Sequence, residues 1–432
     1  MKKRDSFGSK IGAVLVAAGS AIGLGSIWRF PYMTGENGGG AFLVVYLLCV
    51  LIVGIPVMLA EFAIGTHTRK SPVKAYNQLS PRWKWLGYNS VVVSLLISGF
   101  YYIVAGWSLE YFVSSINGTL YSAADFHQHF AAFTASWRQP LYTFIFILLT
   151  HAVVVMGVQK GLERISKIVM PVLLLMLIVL VVHSATMSGA AEGYRFLFQP
   201  DFSKAFSIKT IVSAIGQAFF SLSIGLGCMI AYSSYFKEGT NLTRTSISVS
   251  LMTFFVALLS GLVIFPAVFS VEGLEPTAGP TLLFETLPFI FNEMAATQLW
   301  SALFFLLVIL AALTSTISFH EVLTQYLQEN HDVPRNRAAL LTTLATVALS
   351  IVCLRWGWFF DAFDTVTADV LMPVGGLLTS LFAGWVLDRK AFRDEISNHG
   401  AFRARLFPLL VFILKWVAPI LLSIVFVWNL VF

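Results

Sequence analysis

Ile22-Gly23-Leu24-Gly25 stands in the middle of the first long apolar run of the chain, and the same four residues return as Ile224-Gly225-Leu226-Gly227 in the sixth. Small polar residues flank both: Gly19, Ser20 and Ser26 around the first, Ser221 and Ser223 around the second, with Gly216 and Gln217 a turn earlier. A glycine costs about 1 kcal/mol in a helix interior, and an unpaired backbone group in hydrocarbon costs more. One such cluster is accounted for by close helix packing of the small-xxx-small kind. Two of them five runs apart, with an odd number of runs per half, imply two five-helix repeats of opposite topology, each opened by a helix that unwinds at the midplane. At such breaks freed amides face an anion and freed carbonyls face cations.

The composition agrees with a chain immersed in lipid. Of 432 residues, 57% are hydrophobic and 12% charged, and the mean hydropathy is +0.79, too little polar surface to cover a soluble domain. A window of about 19 residues predicts helices over 11–33, 40–66, 85–116, 140–157, 162–184, 208–236, 241–270, 296–328, 338–355, 361–387 and 404–431. The expected fold is an all-α polytopic membrane protein, one transmembrane domain over 1–432. Repeat one covers about 8–184, repeat two about 208–387, and an extra helix about 404–431.

Orientation follows from Lys and Arg. On this topology 21 of them fall on the side of the N-terminus and 5 opposite, with Arg29 and Lys415 inside spans. The expectation is a multi-pass protein of the cell inner membrane with a cytoplasmic N-terminus and an extracytoplasmic C-terminus. The basic residues are spread over many short loops, which argues against nucleic acid as a partner. Cys49, Cys228 and Cys353 all lie within spans, so neither a disulfide framework nor a cysteine metal site is expected. Met1 to Lys10 runs straight into a glycine-broken span, a poor match to a cleavable signal.

The segment from Ala18 to Pro31 (AGSAIGLGSIWRFP), followed by Glu36 to Phe42 (ENGGGAF), resembles the first-helix signature of the neurotransmitter:sodium symporters. Gly216 to Gly227 (GQAFFSLSIGLG) resembles their sixth helix. The likeness extends over essentially the whole chain and includes the eleven-helix form of bacterial members. It implies a sodium-coupled symporter that imports an amino acid by alternating access, with no obligatory protein partner. The carboxylate would be held by the amides of Leu24 and Gly25 and the hydroxyl of Tyr102. The ammonium would meet the carbonyls of Ala21, Phe220 and Ser221 together with Ser223, next to Ser20. Side-chain specificity would come from Ser98, Tyr102 and Ala105, from Phe220 and Leu226, and from Ser315 and Phe319. Small residues at Ser98 and Ala105 point to a large apolar or aromatic substrate, while Phe319 fills space.

By the same resemblance, one sodium ion would use the carbonyls of Gly19, Ile22 and Ala311 with the hydroxyls of Thr314 and Ser315, oxygen donors suited to a hard cation. Another would use the Ala21 carbonyl, Ser26, Ser221 and Thr253. That first site departs from the family pattern, which usually has amide or carboxylate side chains at the positions of Ser26 and Thr253, and Ala257 stands where relatives place an acid or a chloride-binding serine. Weak or absent sodium binding there is the expectation. Chloride near Tyr46, Gln217 and Ser221, or the substrate carboxylate, would then supply the countercharge.

Arg29 and Asp364 are rare charges inside spans and would form an outer ion-pair gate, with Phe220 and Tyr102 closing beneath. On the cytoplasmic side Arg4 with Glu329, and Tyr235 with Glu321, would play the matching roles. Gly161 and Pro171 resemble a motif that lets the fifth helix unwind. Two further readings are an uncoupled or proton-coupled transporter or sensor on the same fold, and a hydrolase using Ser20 with His151 or His183. Neither histidine lies in a motif that brings it to Ser20, so no enzymatic activity is expected.

Overall fold

The computed structural model describes residues 5–122, 125–200, 207–271, 283–292 and 294–431. Helix α1 (Lys10–Ala21) begins at Ser9, whose side chain accepts the Gly12 amide proton and so satisfies one of the free donors of the first turn. It meets α2 (Gly25–Glu36) at a bend of 53°, and the two together make one broken span. Nine helices among the described residues are long and apolar enough to cross a membrane singly: α3 (Gly40–Thr68), α4 (Pro81–Ile116), α5 (Arg138–Val155), α6 (Val158–Ser184), α9 (Leu242–Phe269), α10 (Thr297–Asn330), α11 (Arg335–Arg355), α12 (Gly357–Val386) and α13 (Phe407–Val431). Between α6 and α9, after a short helix Ala190–Phe198, lie the two helices α7 (Ile208–Ser221) and α8 (Cys228–Ser233). Residues 222–227 between them are not helical.

The sequence reading placed one helix over 208–236 with a break inside it, and α7 plus α8 fill that place. Three left-handed residues make the break: Ser223 at φ 52°, Gly225 at φ 83° and Gly227 at φ 76°. A side chain at Gly225 would be strained there and would also meet the Met372 carbonyl at 2.5 Å.

Two groups of spans separate by burial. In α3, α4, α9 and α10, 67–72% of the apolar window is buried; in α5, α6, α11 and α13 the share is 33–39%. The first group surrounds the broken spans, and the second carries exposed apolar side chains such as Leu175, Val182, Leu344 and Val427. Such faces are costly in water and neutral against lipid tails.

Candidate functional site

The two breaks face each other. Gln217 Nε2 donates to the Gly25 carbonyl at 2.7 Å, and a side-chain carbon on Gly25 would come within 2.6 Å of the Phe220 ring. Between them lies a narrow cavity of about 20 Å³, lined from α1, α2 and their break by Ser20, Ala21, Gly23 and Gly25, and from the second break by Phe220, Ser223 and Leu226. Tyr101 and Ile97 of α4, Ser315 and Phe319 of α10, and Met372 of α12 complete it.

Each polarity has its own wall. On the amide side, Leu24 N–H points to the Tyr101 hydroxyl at 3.0 Å, at the positive end of α2. On the carbonyl side, at the negative end of α1, the Ser20 carbonyl accepts from Ser223 Oγ at 2.8 Å and from Ser315 Oγ at 3.4 Å. A side-chain carbon at position 23 would sit 2.1 Å from Ser315 Oγ and 2.9 Å from the Tyr101 hydroxyl, so these two groups would have to shift to admit it.

Eight of the residues named from sequence line this cavity: Ser20, Ala21, Gly25, Phe220, Ser223, Leu226, Ser315 and Phe319. Leu24 reaches it through its amide. The predicted α4 residues do not. Tyr102 turns away and donates to the Thr316 carbonyl at 3.3 Å, with the Phe146 ring 6.4 Å off. Ser98 bonds back to the Ser94 carbonyl at 2.7 Å, and Ala105 is buried elsewhere on the same stripe. One helical position is about 100° of rotation, so the lining face is Ile97 and Tyr101. Ser221 also leaves the cavity, pairing its hydroxyl with Tyr46 Oη at 2.7 Å and the Gln217 carbonyl at 2.8 Å.

The residues proposed for the second sodium gather at the α1 break. Gly19 abuts Thr314, with the Thr314 side chain 3.3 Å from where a Gly19 side-chain carbon would be. Thr314 Oγ1 lies 2.9 Å from the Ala311 carbonyl, and Ile22, with ψ 77°, has left the helical conformation. The proposed first site looks different. Thr253 Oγ1 bonds back to the Val249 carbonyl at 2.9 Å, and Ser221 is engaged as above. Ser26 Oγ and Gln217 Oε1 are buried with no hydrogen-bond partner, and Ala257 is fully buried among apolar neighbours.

At the outer end, Arg29 stacks its guanidinium over the Phe220 ring at 4.7 Å, a cation–π contact. No ion pair within 4.0 Å joins Arg29 to Asp364. Asp364 and Asp369 both attract Arg29 electrostatically. The expected two-residue gate is therefore a guanidinium resting on an aromatic lid, with its countercharge shared by two carboxylates. At the other end, Tyr235 Oη donates to Glu321 Oε1 at 2.7 Å, and Arg335 Nη2 donates to Glu321 Oε2 at 2.6 Å. Glu329 accepts from the Ser71 amide at 2.8 Å; Arg4 lies outside the described residues.

Three acid-centred contacts were not read from the sequence. Arg335 is the third partner of Tyr235 and Glu321. Glu61 of α3 is buried, and its Oε1 accepts from the Gly225 amide at 2.8 Å, tying α3 to the second break. Its signal was a lone acid within an apolar run, which is rare unless partnered. Glu163 of α6 accepts from the Gly8 amide at 2.5 Å, the Ser9 amide at 3.1 Å and Ser9 Oγ at 2.9 Å, and pairs with Lys167 at 2.6 Å. It holds the start of α1 against the π-helical turn Val158–Glu163, where Gly161 lies. The two histidines considered for hydrolysis are committed elsewhere, His151 to Thr343 Oγ1 at 2.7 Å and His183 against Trp300 with ring centroids 3.7 Å apart.

Comparison with known proteins bears on all of this. The sequence model of the sodium:neurotransmitter symporter family matches residues 4–132 and 136–432. The sodium-dependent transporter YhdH of Bacillus subtilis is 37% identical, the match covering 98% of this chain and 97% of that one. The sodium- and chloride-dependent GABA transporter 2 of Homo sapiens is 28% identical over 99% of this chain and 80% of its own. Among solved structures, that of MhsT in complex with L-phenylalanine superposes with a TM-score of 0.90 at 37% identity, covering 98% of this chain and 99% of that one.

Proposed function

Since the chain belongs to the sodium:neurotransmitter symporter family, whose members are transporters and not enzymes, we propose that this sodium-dependent, multi-pass membrane protein imports a large apolar or aromatic amino acid, coupled to sodium, by alternating access. The observation that carries the proposal is the pair of opposed breaks around one cavity, with an amide and a tyrosine hydroxyl on one wall and carbonyls and serine hydroxyls on the other. A zwitterion leaves water only where both of its charges are met by oriented dipoles. Leu24 N–H and Tyr101 Oη would take the carboxylate. The carbonyl ends of α1 and α7, with Ser223, would take the ammonium.

Sodium is cargo here. The cluster of Gly19, Ile22, Ala311, Thr314 and Ser315 borders the same α1 break as the substrate, so an ion there would hold the break in the shape the amino acid needs. Reciprocal stabilisation of this kind is what couples the two binding events. At the first site Ser26 and Thr253 stand where relatives usually have amide or carboxylate side chains, which supports transport dominated by one sodium ion. Ser221 bonds to Tyr46 Oη and to the Gln217 carbonyl, and these three are the candidate chloride neighbourhood.

The substrate class rests on the wall formed by Ile97, Leu226, Phe319 and Met372, and on the likeness to a protein whose structure holds phenylalanine. It no longer rests on Ser98 and Ala105, which face elsewhere. The charge asymmetry of the loops supports a cytoplasmic N-terminus in the inner membrane. The deciding experiment is uptake of labelled phenylalanine, tyrosine, tryptophan and leucine into proteoliposomes, with an inward sodium gradient against potassium, with and without chloride. Sodium-driven accumulation is expected. Uptake indifferent to sodium would replace symport with uncoupled or proton-driven transport, and better competition by glycine or alanine would overturn the substrate class.

A further inference from the structure

Lys415 lies in the interior of α13, two turns past its start, on the face that meets α12. Both helices carry a π-helical turn at this level, Phe382–Val386 in α12 and Ile413–Val417 in α13. Gly384 lets them touch: a side-chain carbon there would lie 2.8 Å from the Leu414 carbonyl oxygen and from Lys415 Cα. Trp385 Nε1 donates to the Lys415 carbonyl at 3.1 Å. The ammonium is thereby held 3.8 Å from the centre of the Trp385 ring and 5.7 Å from that of Trp416. The two indoles meet edge to face, 5.0 Å apart at 80°.

This cage opens into an apolar groove of about 740 Å³, walled by Trp83, Leu381, Pro419, Ile420 and Ile424 among others, with Lys415 its one charged residue. Trp385 and Trp416 are 52% and 47% exposed, so the groove faces lipid. Aromatic rings orient a cation without neutralising it. Among the described residues no carboxylate comes within 4.0 Å of Lys415. An ammonium at the edge of hydrocarbon needs an anion, and the surroundings offer the phosphate of a phospholipid.

We propose that this groove is a binding site for an anionic phospholipid, its phosphate on Lys415 and an acyl chain along Leu381, Pro419, Ile420 and Ile424. A zwitterionic headgroup would bring its own cation to a place that already has one. Arg82 and Lys84, on either side of Trp83 in the sequence, add to the positive field that favours net negative charge. The site lies apart from the transport cavity and does not depend on what that cavity carries.

The test uses the full chain reconstituted in phosphatidylcholine vesicles containing dibrominated phosphatidylglycerol or dibrominated phosphatidylcholine, with quenching of tryptophan fluorescence as the readout. Quenching by the anionic lipid should reflect association about fivefold stronger than that of the zwitterionic one, the scale for one basic side chain at a membrane surface. In Lys415→Gln the ratio should fall to about one, while Lys415→Arg keeps it and shows that the fold survives substitution at this position. Trp385→Phe with Trp416→Phe should remove the preferential component, placing it in this groove. Equal quenching by both lipids in the unmodified protein, or a preference unchanged in Lys415→Gln, would overturn the proposal. So would a dimer in which neither lipid quenches, since a second copy would then cover the groove.

Discussion

Tyr101 Oη accepts the Leu24 amide proton at 3.0 Å, joining the middle of α4 to the first break across 77 residues of sequence. The neighbouring Tyr102 carries the same chemical group and makes no contact with the break. Tyr101→Phe should therefore raise the apparent KM for the amino acid by about 10- to 100-fold, the scale of one hydrogen bond to a charged group. Tyr102→Phe should change it by less than about threefold, because its partner is a neutral carbonyl away from the cavity. Concentration series of uptake in proteoliposomes separate the two.

Thr314 and Ser315 supply hydroxyls beside the α1 break, where Thr314 abuts Gly19 and Ser315 reaches the Ser20 carbonyl. Thr314→Ala and Ser315→Ala should each raise the sodium concentration for half-maximal uptake by about tenfold, the loss of roughly one ligand hydroxyl. Ser26→Ala and Thr253→Ala should shift it by less than about twofold on the same reasoning. The sodium dependence should have a Hill coefficient near one; a value approaching two would restore the first site.

Glu61 is the partner of the Gly225 amide, and Glu61→Ala would leave that buried N–H unmatched. The expected loss is about 1–3 kcal/mol of stability, the cost of an orphaned buried donor. Thermal unfolding followed by size-exclusion chromatography should show a lower midpoint for Glu61→Ala and recovery of most of it in Glu61→Gln, which keeps an acceptor oxygen.

Glu163 anchors the start of α1 through charge-assisted bonds, which are about twice as strong as neutral ones. Glu163→Gln should loosen the segment Phe7–Gly12 and speed amide hydrogen exchange at Gly8 and Ser9 by about tenfold, as the loss of roughly 1–1.5 kcal/mol requires. Unchanged exchange would mean that the π-helical turn of α6 holds the segment by packing alone.

Arg29 draws its countercharge from Asp364 and Asp369 together. Asp364→Asn and Asp369→Asn should each reduce the uptake rate only partly, and the double substitution should reduce it by more than their product, since sites sharing one partner are not additive. Initial rates of uptake for the three variants provide the comparison.

The spans were legible because hydrophobic length is a coarse signal: the third was expected over 85–116 and is Pro81–Ile116. The breaks were legible because Gly225 and its relatives have no other economical explanation in a lipid-embedded helix. Direction around a helix was not. In α4 the run from Ile97 to Ala105 is apolar or small on every side, so nothing local distinguishes the stripe of Ser98 and Tyr102 from that of Ile97 and Tyr101. Contacts between charges on separate spans, such as Arg335 with Glu321, depend on tertiary placement that periodicity does not encode. The outer end shows the same limit: Phe220 beneath Arg29 was read from the sequence, but the lack of a direct Arg29–Asp364 ion pair was not.

Phe220 is on the last turn of α7, and the side chain resting on its ring belongs to α2. Cover and cap thus come from the two broken spans themselves, one from each half of the protein. A door built from the frame would swing as the halves part, so its tempo would be that of the whole bundle. Substitutions that stiffen the frame far from the cavity should then slow admission as surely as those that touch the ring.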